Sequence, residues 1–318
     1  MTGSTPTLAV LFTYYNERHL LTEALESLRN SGPIPDEILI YDDCARYPAQ
    51  DYTPADLPVR VIRGTENRGP SVGRNILLKQ TTCDYIHYQD ADDLFSPAWG
   101  SRVRQELLHW PDMILHEITT VRENKTLSRC VMGLEGYRTE TNLVRFCLER
   151  FILTDAGVYR TERVKQMGGY CERIWNSEDY HFHVKLAHFC QTVAVLTDPL
   201  VIHRVRVESR SENLVEAWTC NLQCIEELAK ELPPNYGPDL ADAAARIGSV
   251  LFSLHALTDA KRAFGLAKDL GPAAYSSFHF PYRALAKTVG PLATEYLNRA
   301  YRLLLPRAVR TLARKLYA

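Results

Sequence analysis

The sequence predicts an α/β fold: a mainly parallel sheet sandwiched by helices, followed by a C-terminal all-helical region. Three observations predict it. Over residues 1–211 short apolar runs alternate with stretches of helical periodicity, the pattern of strands joined through helices. From 212 to 318 the periodicity is helical throughout. The strand-like runs also end on polar residues, and open α/β sheets bind ligands at the carboxyl ends of their strands.

The elements follow in order. "TLAVLFTYY" reads as a buried strand ending on Thr13, Tyr14, Tyr15 and Asn16. "ERHLLTEALESLRN" carries Leu20, Leu21, Ala24, Leu25 and Leu28 at helical spacing and stops at Asn30-Ser31-Gly32. "EILIYDD" is a second strand closed by Asp42 and Asp43. A connector with Pro48, Pro54 and Pro58 leads to a third, "VRVIRG". "TENRGPSVG" reads as a loop, and Arg74 opens the helix "RNILLKQTT" after it. "DYIHYQ" then runs into Asp90, Asp92 and Asp93. Residues 110–211 mix strands and helices and hold a second acidic pair, Glu178-Asp179, at a helix start. Four helical stretches follow, "SENLVEAWTCNLQCIEELAKEL", "DLADAAARIGSVLFSLHAL", "DAKRAFGLAKDL" and "ATEYLNRAYRLLL", with breaks at Pro233-Pro234 and Gly271-Pro272. Two domains are expected, 1–211 and 212–318.

Composition narrows the class. With 46% hydrophobic and 24% charged residues the chain can bury a sizeable core. Its 37 Lys+Arg against 38 Asp+Glu give no reason to expect a nucleic-acid partner. No run reaches the ~20 apolar residues of a membrane span, and the start lacks the basic segment of a secretion signal. The eight cysteines form no C-x-x-C pair, so reduced thiols and a cytoplasmic location are expected. Cys220 and Cys224 lie one helical turn apart without partners for a four-ligand metal set. The segment 296–318 carries Arg299, Arg302, Arg307, Arg310, Arg314 and Lys315 beside Leu303, Leu304, Val309, Leu312 and Leu316. Such a segment is able to lie on the anionic inner face of a membrane, or to dock as a terminal helix.

The crowding of Asp90, Asp92 and Asp93 beside apolar runs needs a reason, since like charges repel and buried carboxylates need partners. A solvated turn at a strand end supplies one, and a bound cation supplies another. Four blocks, "LFTYYNERHLLTEALESL", "ILIYDD", "ENRGPSVGRN...CDYIHYQDADD" and "GGYCERIWNSEDYHFHVKLA", together resemble the inverting family 2 glycosyltransferases of the GT-A fold. The resemblance covers residues 7–211.

It implies a metal-dependent inverting enzyme that moves a sugar from a nucleotide-diphosphate donor to an acceptor hydroxyl on a glycan, a lipid-linked carrier or another molecule, in surface glycan or glycoconjugate synthesis. Asp90-Ala91-Asp92 matches the family's D-x-D. It puts Asp92 on Mg²⁺ or Mn²⁺ and Asp90 on the ribose or the metal, while Asp93 caps the helix after Ser96-Pro97. By the same resemblance Thr13 and Tyr15 lie against base and ribose, Asp43 accepts a hydrogen bond from the base, and Arg74 approaches base or phosphate. Asp179 aligns with the catalytic base. Glu178 and Trp175 fall on the acceptor side, and His181 and His183 pack behind. Three departures matter. Phe12 stands where a proline is usual. In "HRVRVESRS" His203 replaces the family's tyrosine, and Arg206 replaces its histidine and suits a phosphate, whereas a shifted fit puts His203 at the metal.

Two other readings compete. A sugar-nucleotide pyrophosphorylase opens with a Gly-rich, Arg-containing loop after strand one, and "FTYYNERHLL" has no glycine. A non-catalytic sugar- or nucleotide-binding protein has no need of Asp90, Asp92 and Asp179 together. Donor and acceptor identity rest on residues 120–140 and 165–178, whose shape the sequence does not give.

Overall fold

The structure, a computed structural model, describes residues 5–122, 125–129, 132–137, 142–205, 213–271 and 280–304. The chain divides into two compact units, Met1–Glu212 and Asn213–Ala318.

The first unit is built on β1 (Leu8–Tyr14), α1 (His19–Arg29), β2 (Glu37–Asp42), β3 (Val59–Arg63), α2 (Pro70–Gln80), β4 (Tyr85–Asp90), β5 (Leu94–Phe95) and α3 (Trp99–Leu107). It continues through β6 (Met113–Arg122), β7 (Lys125–Arg129), α4 (Leu143–Leu148), β8 (Gly157–Arg160), α5 (Thr161–Met167), α6 (Glu178–Phe189) and β9 (Val193–Arg204). The strands form one sheet in the order β3-β2-β1-β4-β8-β6-β9-β5, with β7 on β6. β1 is buried over nearly its whole length, as a central strand covered on both faces must be, and this is why it reads as an unbroken apolar run. β3, β2, β1 and β4 are parallel as expected. Beyond β4 the pairing is mixed. β8 runs antiparallel to β4 and β6, β5 antiparallel to β9, and β6 parallel to β9. These partners lie far apart in sequence, so no local pattern announces their direction.

Two local expectations change. α2 begins at Pro70, so "GPSVG" is not a loop and Arg74 lies one turn inside the helix. Gly69 precedes the helix at φ +84°, where a side chain would be strained, and Pro70 takes the first position, where its missing N–H costs nothing. The buried face of this first stretch is Ser71, Val72, Gly73, Arg74 and Asn75. Mostly small or polar, it leaves no apolar stripe to read. Asp93 does not cap α3, which starts at Trp99 with no side-chain cap.

The second unit holds α7 (Leu214–Glu231), α8 (Gly237–Ser253), α9 (Leu257–Asp269), α10 (Phe280–Val289) and α11 (Pro291–Leu304), of which α10 was not anticipated. α8 turns Ala243, Ala244, Ala245 and Ile247 inward, and at Gly248 a Cβ would lie 2.7 Å from Phe264 of α9. The two helices therefore pack close through small residues. Tyr282 on α10 donates a buried hydrogen bond to Glu295 on α11 at 2.7 Å. The described cysteines are all free thiols. Among the described residues no helix is long and apolar enough to cross a membrane.

Gly73 gives a test of how closely α2 lies on the sheet. A Cβ there would sit 2.6 Å from Cδ1 of buried Tyr41 and 3.3 Å from Cγ2 of Thr13. In an open helix Gly→Ala gains about 1 kcal/mol, whereas overpacking a fixed ring costs about 1–3 kcal/mol. Gly73→Ala is therefore expected to lower stability by about 1 kcal/mol, seen as a lower urea midpoint. A raised midpoint would show that the helix has room to move.

Candidate active site

The sheet brings the polar strand ends side by side. Thr13 pairs across to Asp90 and Tyr14 to Asp42. Asp42 closes the following loop by accepting backbone N–H bonds from Ala45 and Ala49 at 2.8 and 2.9 Å. Asp43 is buried and accepts from the Arg68 and Gly69 amides at 2.9 and 2.7 Å, which fixes the entry to α2. Each of its oxygens keeps a lone pair for a further donor. Thr13 is half-buried, and its hydroxyl donates to Asp90 Oδ1 at 3.4 Å. Tyr15 is 47% exposed beside it.

Arg74 departs most from expectation. It is 2% exposed, with Nη2 donating to Asp90 Oδ1 and Nη1 to Glu178 Oε1, both at 2.8 Å. Its guanidinium carbon lies 4.9 Å from the centre of the Tyr170 ring. With both terminal nitrogens committed and almost no solvent exposure, it does not reach out to a base or phosphate. It joins the D-x-D strand end to the acidic pair instead. Loss of solvation works to raise the Asp90 pKa, but the Arg74 charge and hydrogen bond outweigh it and hold the carboxyl below its ordinary value.

Asp179 stands in the first turn of α6, half-buried, its Oδ1 accepting from the Tyr180 amide at 2.8 Å. Loss of solvation and the neighbouring Glu178 charge push its pKa up to about 7, against the opposing Tyr180 N–H and Arg74. Glu178, expected on the acceptor side, is tied to Arg74. Trp175 is 56% exposed, and its ring lies 3.0 Å from where a Cβ on Gly69 would be. His181 and His183 are buried, as their packing role required. Burial pushes the His183 pKa down to about 4, so the neutral ring donates from Nδ1 to the Asp179 carbonyl at 2.8 Å and accepts at Nε2 from Tyr159 at 2.7 Å. Tyr170 is buried and stacked on Phe182 with centroids 4.2 Å apart. Asn75, unremarked in the sequence, brackets it: its Nδ2 donates to the Tyr170 carbonyl at 2.9 Å, and its Oδ1 accepts the Tyr170 amide at 2.8 Å.

Pairing of β5 with β9 (Leu94 opposite Ile202, Phe95 opposite Val201) carries His203 and Arg204 to the acidic turn. Asp93 is buried there and accepts from His203 Nδ1 at 2.9 Å and the Arg204 amide at 2.7 Å. Arg204 Nε also donates to the Asp92 carbonyl, and the same guanidinium pairs with Glu23. Burial works against a charged His203, but the Asp93 hydrogen bond and the charges of Asp93, Asp155 and Asp90 outweigh it and raise its pKa to about 10.

Asp155 escaped the sequence reading, because nothing in "LTDAG" separates it from an ordinary turn. It is 2% exposed, its Oδ2 finds no hydrogen-bond partner, and burial beside Asp93 drives its pKa well up. Ligand atoms of Asp93, Asp155 and His203 lie within 4.8 Å of one another. Asp93, just past β4, and Asp155, just before β8, offer the oxygen ligands a hard divalent cation takes, and His203, held at Nδ1 by Asp93, would add Nε2 only on giving up its proton to the cation. Arg206 lies outside the described residues, as does the tail beyond 304.

The raised Asp179 pKa has a consequence for stability. A carboxyl that holds its proton more tightly when folded adds stability below its unfolded pKa of ~3.9, and this is lost as pH rises through the folded value near 7. Asp179→Asn removes the loss. From pH 5 to pH 8 the variant is expected to gain on wild type by on the order of 1–2 kcal/mol after solvent screening. Denaturant midpoints across that range check it, and parallel curves would refute the perturbed carboxyl.

Comparison with known proteins points the same way. Residues 9–168, about half of the chain, match the model of the family described as Glycosyl transferase family 2. An uncharacterized glycosyltransferase of Haemophilus influenzae is 26% identical over 190 residues, covering 56% of this chain and 61% of that relative. The chain thus spans about three fifths of the relative's length. S. aureus TarS 1-349, solved with UDP-GlcNAc, superposes with a TM-score of 0.68 at 17% identity over 93% of this chain and 92% of that one. The mannosyltransferase PcManGT from Pyrobaculum calidifontis, solved with GDP-Man and Mn²⁺, gives 0.58 at 18% identity over 94% and 88%. The structural similarities bear on the fold alone, and they bear out an α/β GT-A fold with a helical C-terminal region.

Proposed function

Because the chain belongs to glycosyl transferase family 2, we propose that it transfers a sugar from a nucleotide-diphosphate donor to an acceptor hydroxyl, with inversion at the anomeric carbon. The observation that carries this reading is a carboxyl poised near neutrality, Asp179, linked through Glu178 and Arg74 to the D-x-D aspartate Asp90. Base and ribose fit against Thr13, Tyr15 and Asp43 at the ends of β1 and β2. Asp92, with Asp90 and His203, would hold Mg²⁺ or Mn²⁺, which supplies neutralising charge to the departing diphosphate. Asp179 takes the proton of the attacking hydroxyl. A base whose pKa sits near the working pH is ionised often enough to act and basic enough to be useful. Exposed Trp175 offers a flat apolar face for an acceptor ring.

The glycosyltransferase named with GDP-Man and Mn²⁺ supports the metal, and those named with UDP-GlcNAc and GDP-Man support a nucleotide-sugar donor. Synthesis of a surface glycan, with the basic segment 296–318 resting on a membrane that carries the acceptor, completes the reading.

Two experiments test it. Asp92→Asn is expected to keep the fold and lose Mn²⁺-dependent binding of UDP and GDP by calorimetry; unchanged affinity for both would remove Asp92 from the metal. Asp179→Asn is expected to bind donor normally and turn over about 10²–10⁴ times more slowly, measured as UDP-GlcNAc or GDP-Man consumption with Mn²⁺. NMR of the wild-type product should show an inverted anomeric centre. Near-normal turnover of the variant, or retained configuration, rejects the scheme.

A further inference from the structure

Arg74 sits where three elements meet. Its fork reaches Asp90 at the end of β4 and Glu178 at the start of α6, each at 2.8 Å. The guanidinium stacks against Tyr170, Asn75 beside it on α2 clamps the Tyr170 backbone at both N–H and C=O, and the Tyr170 ring lies flat on Phe182 of α6. A loose surface ion pair is not built this way. The fork is held from behind, so its two carboxylates are held relative to each other.

We propose that Arg74 and Glu178 are positioning residues for the transfer step: Arg74 fixes the helix that carries Asp179 against the donor-side Asp90, and the Arg74–Glu178 pair sets the electrostatic field at Asp179. This rests on Asp179 being the base.

The groups that face Asp179 can be named. Glu178 and the Tyr180 amide come from its own helix, Arg74 from α2, Asp90 from β4, Tyr159 from β8 and Tyr170 from the segment before α6. His183 bonds its backbone carbonyl from one turn along the helix. Burial keeps both tyrosines protonated and His183 neutral. The charges that act on Asp179 are therefore two anions, Glu178 and Asp90, and one cation, Arg74. Glu178 works to keep the proton on Asp179, and Arg74 works to remove it. A bound donor that drew on Asp90 would also change what Arg74 can give to Glu178, which links donor occupancy to the state of the base.

Opposite charges make opposite predictions, and a packing defect alone would not. The experiment is a ¹³C-carboxyl titration of aspartate-labelled protein, following the resonance that disappears in Asp179→Asn. Glu178→Gln should lower its midpoint by about one pH unit, and Arg74→Gln should raise it by about as much. The acid limb of donor turnover should shift in the same order. Should Arg74→Gln fail to fold, the Glu178→Gln titration still decides. Midpoints that coincide in wild type and Glu178→Gln overturn the proposal, whatever turnover shows. Near-normal turnover in Asp179→Asn overturns the base itself, and the proposal with it, and the two failures are distinguishable because the titration needs no substrate.

Discussion

A guanidinium shut away from water must find its counter-charges inside the protein, and Arg74 finds Asp90 and Glu178. Burying such a charge is costly, and only good geometry on both nitrogens offsets it. That requirement shapes what surrounds it. α2 has to approach the sheet closely enough for its second turn to reach the end of β4, which is why Gly73 faces Tyr41 and Thr13 with no room for a side chain. The chain has to enter α2 through a left-handed Gly69 pinned by Asp43. α6 has to begin within reach of the same fork.

The consequence is a set of carboxyls that share one region and differ in state. Asp90 is held below the ordinary range by Arg74, Asp179 is lifted to about 7, and Asp155 is lifted well above the usual carboxylate value. Divergent environments of this kind allow similar side chains to take different roles. An ionised Asp90 suits the cation or ribose hydroxyl proposed for it, and Asp179 suits the proton transfer proposed for it. Burial and the neighbouring Asp93 both oppose a charge on Asp155. Asp93 itself is satisfied by its bonds with His203 and the Arg204 backbone.

Much of this was legible in one dimension. The α/β class and the first four strands followed from apolar runs of strand length ending on polar residues, and α1 and α6–α9 from helical periodicity or helix-start chemistry. These features are set by neighbours within a few positions. The acids at 90 and 92 were legible as chemistry because carboxylates are costly beside apolar runs unless something claims them, whereas those at 178 and 179 stood out through the family resemblance. The start of α2 was hidden because its buried face is small and polar. The sequence could not show that the Tyr170 backbone is clamped, since its partner, Asn75, lies 95 positions away.

What the sequence by itself determined, then, is the order of elements through β4 and most of the inventory of reactive groups, because both arise from local propensity and composition. The partners belong to the tertiary structure alone. The antiparallel turn of β8, the docking of β5 on β9 that sets His203 beside Asp93, the role of Asp155, and the commitment of Arg74 to two carboxylates 16 and 104 positions away all depend on which distant segments the sheet brings together. A charged side chain is satisfied by whatever the fold places within 3 Å of it, and that distance is not written in the spacing along the chain.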